Sequence, residues 1–231
     1  MFEDALEAVN LDAINTDIEE VGFHELPVRL PANALAEIVR QIDEVCATNE
    51  TLEVNYGGSE HRIWQANEQL ESAAAFRAFS DEVIPKLHGG MGMARNVLAI
   101  RNRPLVDTGG ELRKGRWHLD SFRKQLKIFV FMQDVTENDG PFELIPRTQN
   151  ISAKVKHMIP GHYFSLKDIL KRGGTRGYQH IDEDFIERVE ANYPPKLFTV
   201  PAGSILVADT SAIHRAHPVN GGERYAFTSY H

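Results

Sequence analysis

The sequence predicts a mainly β fold with flanking helices, and three observations lead to that expectation. Over residues 3–20, 31–47 and 68–86, apolar residues recur at the spacing of one helix face. From about residue 94, short runs of β type follow one another between Gly, Pro, Asn and Asp: NVLAIRNR, RWHLDS, KIFVFMQDV, KLFTVP, SILVAD and RYAFTSY. No repeat, low-complexity tract or linker separates the two parts. We therefore expect a single domain over residues 1–231, with a helix-rich part over 1–90 and a β core over 94–230.

The β core is interrupted between about residues 150 and 195 by a less regular stretch, which we interpret as an insertion. It contains a predicted short helix near SLKDILKR, the loop GGTRG and a second predicted helix near DEDFIERVEA. The glycines give the loop backbone freedom, but surface loops carry glycine without needing to move. An ordinary surface loop is therefore favoured over a closing lid.

Composition limits the partners of the chain. The formal net charge of -8 repels nucleic-acid phosphates and anionic membrane surfaces. Cys46 is the one cysteine, so an intrachain disulfide and a cysteine zinc cluster are both excluded. The acidic N-terminus lacks the features of a signal peptide, and no apolar run reaches membrane-spanning length. These features predict a soluble, cytoplasmic protein that binds neither nucleic acid nor membrane, and they do not indicate an oligomeric state.

A candidate metal site begins in the run RWHLDS. His118 and Asp120 are separated by one residue, and side chains two apart on a strand project to the same side. Two histidines and one carboxylate on one face of a divalent iron leave its other face open to further ligands. The run supplies two of these three ligands. An isolated His-x-Asp is, however, more often a hydrogen-bonded histidine beside a surface carboxylate.

The C-terminal segment DTSAIHRAHPVNGGERYAFTSY supplies the remaining elements. His214 precedes a glycine-containing turn, and Arg224 follows at the start of a predicted strand. The guanidinium of an arginine stays charged and donates two parallel hydrogen bonds to a carboxylate. The alternative for Arg224 is a surface ion pair with neighbouring Glu223. His217 is the rival for the third ligand, since the run HRAH contains two histidines.

Three motifs give the chain a family resemblance: WHLD at residues 117–120, DVTENDGPFELIP at 134–146 and the terminal H-x9-R. Through them, about residues 94–230 resemble the phytanoyl-CoA dioxygenase-like branch of the iron(II)- and 2-oxoglutarate-dependent oxygenases. The resemblance implies a double-stranded β-helix (jelly-roll, cupin-like) core. In that family Gly-Ser-His commonly follows the GPF-x-x-IP segment, whereas this chain has Arg147-Thr148-Gln149.

The resemblance also implies roles for single residues. It makes His118, Asp120 and His214 the ligands of Fe(II), and Arg224 the anchor of 2-oxoglutarate, with O2 as the other cosubstrate. The family pattern places the third ligand before the turn and about ten residues ahead of the arginine, which selects His214 over His217. The histidines of the insertion, including His157, His162 and His180, lack a partner at ligand spacing and are left out.

The run QLKIFVFMQDV predicts a strand with two different faces. Leu126, Ile128, Val130 and Met132 alternate with polar and aromatic residues, among them Lys127 and Phe129. A mixed face suits the interior of a ligand-holding barrel, so Lys127 and Phe129 are candidates for contact with the cosubstrate. A half-exposed strand on which Lys127 points to solvent fits the pattern equally well. Thr228 shares a face with Arg224 and is a further candidate, although a strand threonine needs no functional reason.

Basic residues near the expected mouth of the site favour an anionic small-molecule substrate, attracted by the local positive field. They are Arg113, Lys114, Arg116, Arg123, Lys124, Lys167, Lys171, Arg172 and Arg176.

The resemblance predicts a dioxygenase that hydroxylates an unactivated carbon–hydrogen bond and releases succinate and CO2. Asp120 favours hydroxylation, because related halogenases have a small residue in place of this carboxylate. Desaturation, cyclisation and epimerisation use the same ligands and stay open. A zinc-dependent hydrolase built on the same two histidines and carboxylate is the alternative from another class, but it leaves Arg224 unexplained.

Overall fold

The computed structural model describes residues 1–48, 52–55, 58–103, 115–159, 162–163, 179–217, 219 and 221–231. Its helices are α1 (Glu3–Glu7), α2 (Leu11–Glu20), α3 (Ala32–Thr48), α4 (Glu71–Val83), α5 (Ile151–Ala153) and α6 (Glu183–Glu190). Short 3-10 turns span Ala66–Glu68 and Ile84–Lys86, and a π-helical segment over Lys154–Met158 continues α5. The strands are β1 (Phe23–Arg29), β2 (Glu53–Asn55), β3 (Glu60–Ile63), β4 (Asn96–Asn102), β5 (His118–Leu119), β6 (Leu126–Phe131), β7 (Phe142–Leu144), β8 (Gln179–His180), β9 (Lys196–Leu197), β10 (Ser204–Asp209), β11 (His214–Ala216) and β12 (Arg224–Tyr230).

The larger sheet has seven strands in the order β1-β10-β6-β12-β4-β3-β2, and its outer face carries the main hydrophobic core. Ile38 and Phe76 of helices α3 and α4 pack there with Ile128, Val130 and Phe227 of the sheet. The alternation expected for β6 is confirmed, because its aliphatic residues all join this core while Lys127 and Phe129 face the other way. The helices thus fix one side of the sheet, and the opposite side is left for the site.

The smaller sheet has five strands in the order β8-β5-β11-β7-β9. Residues of both sheets line one cavity: the larger sheet contributes from β4, β6 and β12, and the smaller from β5, β7 and β11. Two antiparallel sheets that face each other across a cavity, with helices outside, form the double-stranded β-helix that the sequence predicted.

The helix-rich description of residues 1–90 is incomplete, because β1, β2 and β3 extend the larger sheet at both edges. Strand β1 contains Pro27 and pairs with β10 along one side. Its register is regular where Phe23 to Glu25 meet Ala208 to Leu206, and it shifts before Arg29. Proline has no N–H to give to a ladder, so it is confined to sheet edges and irregular positions. The same proline interrupts the strand pattern in FHELPVR and hides the strand from sequence inspection.

The insertion is described in part. The helix expected near DEDFIERVEA is confirmed as α6, which packs Phe185, Ile186 and Val189 against Trp117 and Ile213. The expected helix near SLKDILKR and the loop GGTRG lie outside the described residues. Within the described ranges, every helix is too short or too polar to cross a membrane.

The core packing yields a prediction for Phe76, which is fully buried and stacks on Phe227 with ring centroids 5.6 Å apart. We expect Phe76→Ala to lower the free energy of unfolding by about 3–5 kcal/mol, because it removes buried apolar surface and leaves a cavity. Urea denaturation followed by circular dichroism measures the change. Leu6→Ala, at a side chain 41% exposed, is the control and should change stability by less than about 0.5 kcal/mol. Equal losses in the two variants would contradict the assignment of the core.

Candidate metal centre

The two candidate histidines are brought together by strand pairing. His118 on β5 lies directly opposite His214 on β11 in the antiparallel register, and residues so paired project to the same face. Their ring centroids are 4.2 Å apart. Asp120 follows β5 by one residue, and its N–H donates to the carbonyl of Thr210 at 3.0 Å. This bond ties the backbone of Asp120 to the segment that leads into β11.

The three side chains form a group of a size that suits one metal ion. Nε2 of His118 lies 3.7 Å from Oδ1 of Asp120, and Nε2 of His214 lies 3.6 Å from Oδ2. All three ligand atoms fall within 4.8 Å of one another. Two ligand atoms that share an ion at about 2.1 Å are roughly 3–4 Å apart, so the observed separations fit with small adjustments. Two imidazole nitrogens and a carboxylate are a donor set that suits divalent iron.

Each histidine is held in the tautomer that a metal requires. Nδ1 of His118 lies 2.8 Å from the carbonyl oxygen of Arg116, and Nδ1 of His214 lies 2.9 Å from that of Ala212. A carbonyl can only accept, so Nδ1 carries the proton and the lone pair of Nε2 points into the site. Burial lowers the pKa of His118 to about 3, helped by neighbouring His214, and burial also lowers the pKa of His214. Both rings are therefore neutral at physiological pH.

Asp120 is kept ionised by Lys127. Burial by itself would raise the pKa of the Asp120 carboxyl, but the charge of Lys127, followed by the effect of the two histidines, outweighs burial and holds the pKa below its ordinary value. Lys127 Nζ lies 2.7 Å from Oδ2 of Asp120 and 3.9 Å from the centre of the Tyr230 ring. With 4% of its surface exposed, Lys127 does not point to solvent, and that alternative is wrong. Its ion pair with Asp120 could not be predicted from the sequence pattern.

Arg224 lies in the same cavity, whose volume is about 150 Å³. It is buried, so the alternative of a surface ion pair with Glu223 is wrong; Glu223 bonds to Arg103 instead, at 3.2 Å. An N–H of Arg224 donates to the carbonyl of Gly140. Gly140 has φ +66°, and a Cβ there would meet Val219 at 2.5 Å, so the turn requires glycine. The DGPF part of the family-like segment therefore orients the arginine.

Phe129 and Thr228 face each other across the pairing of β6 with β12, and both line the cavity. Arg224, Thr228 and Tyr230 alternate along β12 with Tyr225 and Phe227, which pack in the helix-covered core. All seven residues named for the site from the sequence thus meet in one cavity. Its remaining wall is largely apolar and is formed by Ile100, Phe131, Phe142, Ala216 and Ala226, with Arg215 also in contact.

His217, the rival ligand, lies outside the group. Its Nδ1 is 3.0 Å from Oε2 of Glu143, which also accepts from Arg215 at 2.6 Å. His180 stands opposite His118 on β8 but is exposed. Among the described residues, the group that could hold a metal consists of His118, Asp120 and His214.

The departure from the family pattern after Pro146 has a structural explanation. Arg147 adopts φ +68°, a left-handed conformation that favours glycine and costs other residues about 1–3 kcal/mol. Thr148 accepts a hydrogen bond from the N–H of Ile213 at 2.9 Å and donates to the carbonyl of Ile145. Gln149 donates to the carbonyl of Ile18 at 3.0 Å. The substituted residues thus complete the turn and support the residue next to His214.

No protein-family model matches the chain, and the comparison with curated proteins finds no match. Solved structures are similar in fold. The epimerase SnoN, in complex with Fe3+, alpha-ketoglutarate and nogalamycin RO, has a TM-score of 0.67 and 13% identity over 95% of this chain and 82% of that chain. The alpha-ketoglutarate-dependent carbocyclase SnoK from nogalamycin biosynthesis has a TM-score of 0.66 and 15% identity, covering 97% and 84%. A Pseudomonas putida prolyl-4-hydroxylase has a TM-score of 0.57 and 15% identity, covering 96% and 97%. At these identities, the likeness establishes the fold.

The lowered histidine pKa values predict that the metal-free protein loses stability in weak acid. Unfolded imidazoles bind protons near pH 6.5, whereas the pKa of folded His118 is about 3 and that of His214 is also lowered. The stability that the two neutral histidines contribute is therefore fully present above about pH 6.5, and it is lost as the pH falls towards 3. Asp120, with its lowered pKa, adds a further loss below about pH 3.9.

Urea unfolding in the presence of a chelator, at pH 7.5 and at pH 5, measures this loss. Between pH 7.5 and pH 5, the free energy of unfolding of His118→Gln should fall by about 2 kcal/mol less than that of the wild type. His88→Gln is the matched control, because His88 is exposed, and it should behave as the wild type. An identical pH dependence in the two variants would show that His118 does not drive the effect.

Proposed function

We propose that the chain is an Fe(II)- and 2-oxoglutarate-dependent dioxygenase of the phytanoyl-CoA dioxygenase-like branch, with His118, Asp120 and His214 as the metal ligands. The observation that carries the proposal is the convergence of three ligand atoms within 4.8 Å in a cavity that also contains a buried arginine. SnoN, whose fold is similar, was solved with Fe3+ and alpha-ketoglutarate, which is 2-oxoglutarate, and this supports the same two ligands here.

The residues around the ligands prepare the site for an oxidation. When bound, Fe(II) with 2-oxoglutarate and O2 supplies the oxidising chemistry and releases succinate and CO2. The carbonyls of Arg116 and Ala212 fix the direction of the two Nε2 lone pairs, and Lys127 fixes the carboxylate. The rings of Phe129 and Phe142, 4.8 Å apart, form an apolar part of the cavity wall that would keep water from the reacting atoms.

Arg224 is assigned as the anchor of the distal carboxylate of 2-oxoglutarate. It reaches the cavity from β12 and lies on the same face as Thr228, four residues before it. The bond to the Gly140 carbonyl holds one N–H and orients the guanidinium plane. We assign supporting roles to Thr228, as a hydroxyl donor, and to Phe129, as an apolar wall. Lys127 adds positive charge that favours a dianionic cosubstrate.

We further propose that the reaction is hydroxylation of an unactivated carbon–hydrogen bond in a small-molecule substrate. Asp120 supports this choice, because it occupies the position that halogenases leave small. Epimerisation and ring closure are the specific alternatives, since SnoN is an epimerase and SnoK a carbocyclase. Desaturation is a further alternative within the same chemistry.

An anionic substrate is proposed from the charge beside β5. Arg116 and Arg123 are exposed on either side of the ligand strand, and Lys124 is half-buried next to them. The other basic residues that favoured this substrate class, Arg113, Lys114, Lys167, Lys171, Arg172 and Arg176, lie outside the described residues.

The first test of the proposal is the metal site itself. Anaerobic addition of Fe(II) and 2-oxoglutarate should produce a visible charge-transfer absorption in the wild type. His118→Ala should weaken metal binding by more than about 100-fold and abolish the absorption, because it removes a ligand. His217→Ala is the matched control and should leave both unchanged, since His217 bonds to Glu143 outside the site. A colourless mixture with zinc retained through purification would instead favour the hydrolase.

The second test concerns the arginine. Arg224→Gln should raise the Kd of 2-oxoglutarate for the iron-loaded protein by about 10- to 100-fold, because a hydrogen bond to a charged group contributes about 1.5–3 kcal/mol. The Kd of the metal alone should stay the same. Titration of the charge-transfer absorption measures the first quantity. Arg103→Gln, which changes an exposed arginine bound to Glu223, is the control. An unchanged affinity in Arg224→Gln would overturn the anchoring role.

A further inference from the structure

Lys154 is a buried lysine that the proposed chemistry does not use. It begins the π-helical segment after α5, and 1% of its surface is exposed. Its ammonium donates to the carbonyl of Phe122 at 2.7 Å and to the hydroxyl of Ser211 at 2.8 Å. Taking an ammonium out of water is costly, so the burial of a lysine at this position calls for an explanation.

Both partners of Lys154 belong to segments that carry proposed metal ligands. Phe122 follows Asp120 by two residues, and Ser211 precedes His214 by three. Lys154 comes from neither segment and bonds to both, so it links them.

Direct hydrogen bonds already join the two segments, and the two bonds of Lys154 add to them. The N–H of Asp120 donates to the carbonyl of Thr210, whose own N–H donates to the carbonyl of Gln125 at 2.8 Å. Oδ1 of Asp209 accepts from the N–H groups of Gln125 and Ser211 at 3.1 and 3.0 Å. Ser211 therefore has its backbone held by Asp209 and its side chain held by Lys154.

The charge of Lys154 is compensated locally. Burial lowers the pKa of Lys154 to about 8, and the buried carboxylate of Asp209 opposes the fall. The ring of Phe122 lies 5.4 Å from the ammonium and presents its face to it. At neutral pH the group is mainly an ammonium, which only donates, and so it suits a carbonyl and a hydroxyl oxygen.

We propose that Lys154 is a positioning residue for the metal centre, whose ammonium holds the Asp120 and His214 segments at the spacing that one ion requires. The inference rests on the proposed function, because it takes these residues as ligands. Its physical basis is preorganisation: a metal binds more tightly when its ligands are already in place, and groups that orient ligands contribute about 10- to 100-fold to metal affinity or activity.

The experiment uses Co(II) as a probe, without 2-oxoglutarate, on the full chain of the wild type and of Lys154→Met. Methionine keeps an unbranched side chain, one atom shorter than that of lysine, and removes the charge and the donors. Lys154 lines a cavity of about 410 Å³, which leaves room for the thioether to settle. Lys156→Met is the matched control, because Lys156 is exposed on the same helical segment. We expect the Kd of Co(II) to rise by about 10- to 100-fold in Lys154→Met, with altered d–d absorption, and to stay unchanged in Lys156→Met.

Melting temperature does not decide between the roles, because loss of two buried hydrogen bonds lowers it in either case. Unchanged Co(II) affinity and absorption in a folded Lys154→Met would overturn the inference and leave Lys154 with a structural role alone. Wild-type protein that binds no Co(II), or binds it equally well in His118→Ala, would overturn the proposed function as well. If Lys154→Met does not fold, Ser211→Ala decides: it removes one of the two bonds and should raise the Kd by several-fold, whereas no rise overturns the inference.

Discussion

The pairing of His118 with His214 is the constraint on which the rest of the site depends. It joins β5 to β11 and places two imidazoles 4.2 Å apart on the inner face of the smaller sheet. Two protonated rings at that distance would repel, so the site holds only if both stay neutral and turn Nε2 inward. Burial keeps both rings neutral. The carbonyls of Arg116 and Ala212, each two residues before its histidine, turn Nε2 inward. The backbone next to each histidine therefore selects the tautomer that leaves Nε2 to a metal.

The charges in the cavity indicate why binding of the proposed metal and of the proposed cosubstrate should be coupled. Lys127 and Arg224 carry two positive charges and Asp120 one negative charge. The charge of Arg215 is balanced by its ion pair with Glu143, and the histidines are neutral. The metal-free cavity thus has an excess of one positive charge, and a divalent ion raises the excess to three. A dianion such as 2-oxoglutarate returns it to one. Metal binding is then expected to prepare the cavity for the dianion, since a bound cation dominates the local field.

Much of this site could be predicted from sequence because its residues follow local rules. Strand alternation placed Lys127 and Phe129 opposite the core face of β6, and the family pattern chose His214 over His217. The partners that hold these residues could not be predicted in the same way. Lys127 meets Asp120, and Lys154 meets Ser211, only through the folding of separate segments onto each other. Strand β1 was missed for another reason, since Pro27 breaks the pattern by which strands are recognised.

The two buried lysines contact different groups of the Asp120 segment, and this difference has a consequence for the proposed coordination. Lys127 bonds to Oδ2 of the carboxylate itself, at 2.7 Å, and would leave Oδ1 to the proposed metal. Binding through one oxygen would leave an open position for the cosubstrate. Lys154 bonds to backbone and hydroxyl groups and leaves the carboxylate alone. One lysine would therefore bear on how Asp120 binds the proposed metal, and the other on where Asp120 stands relative to His214.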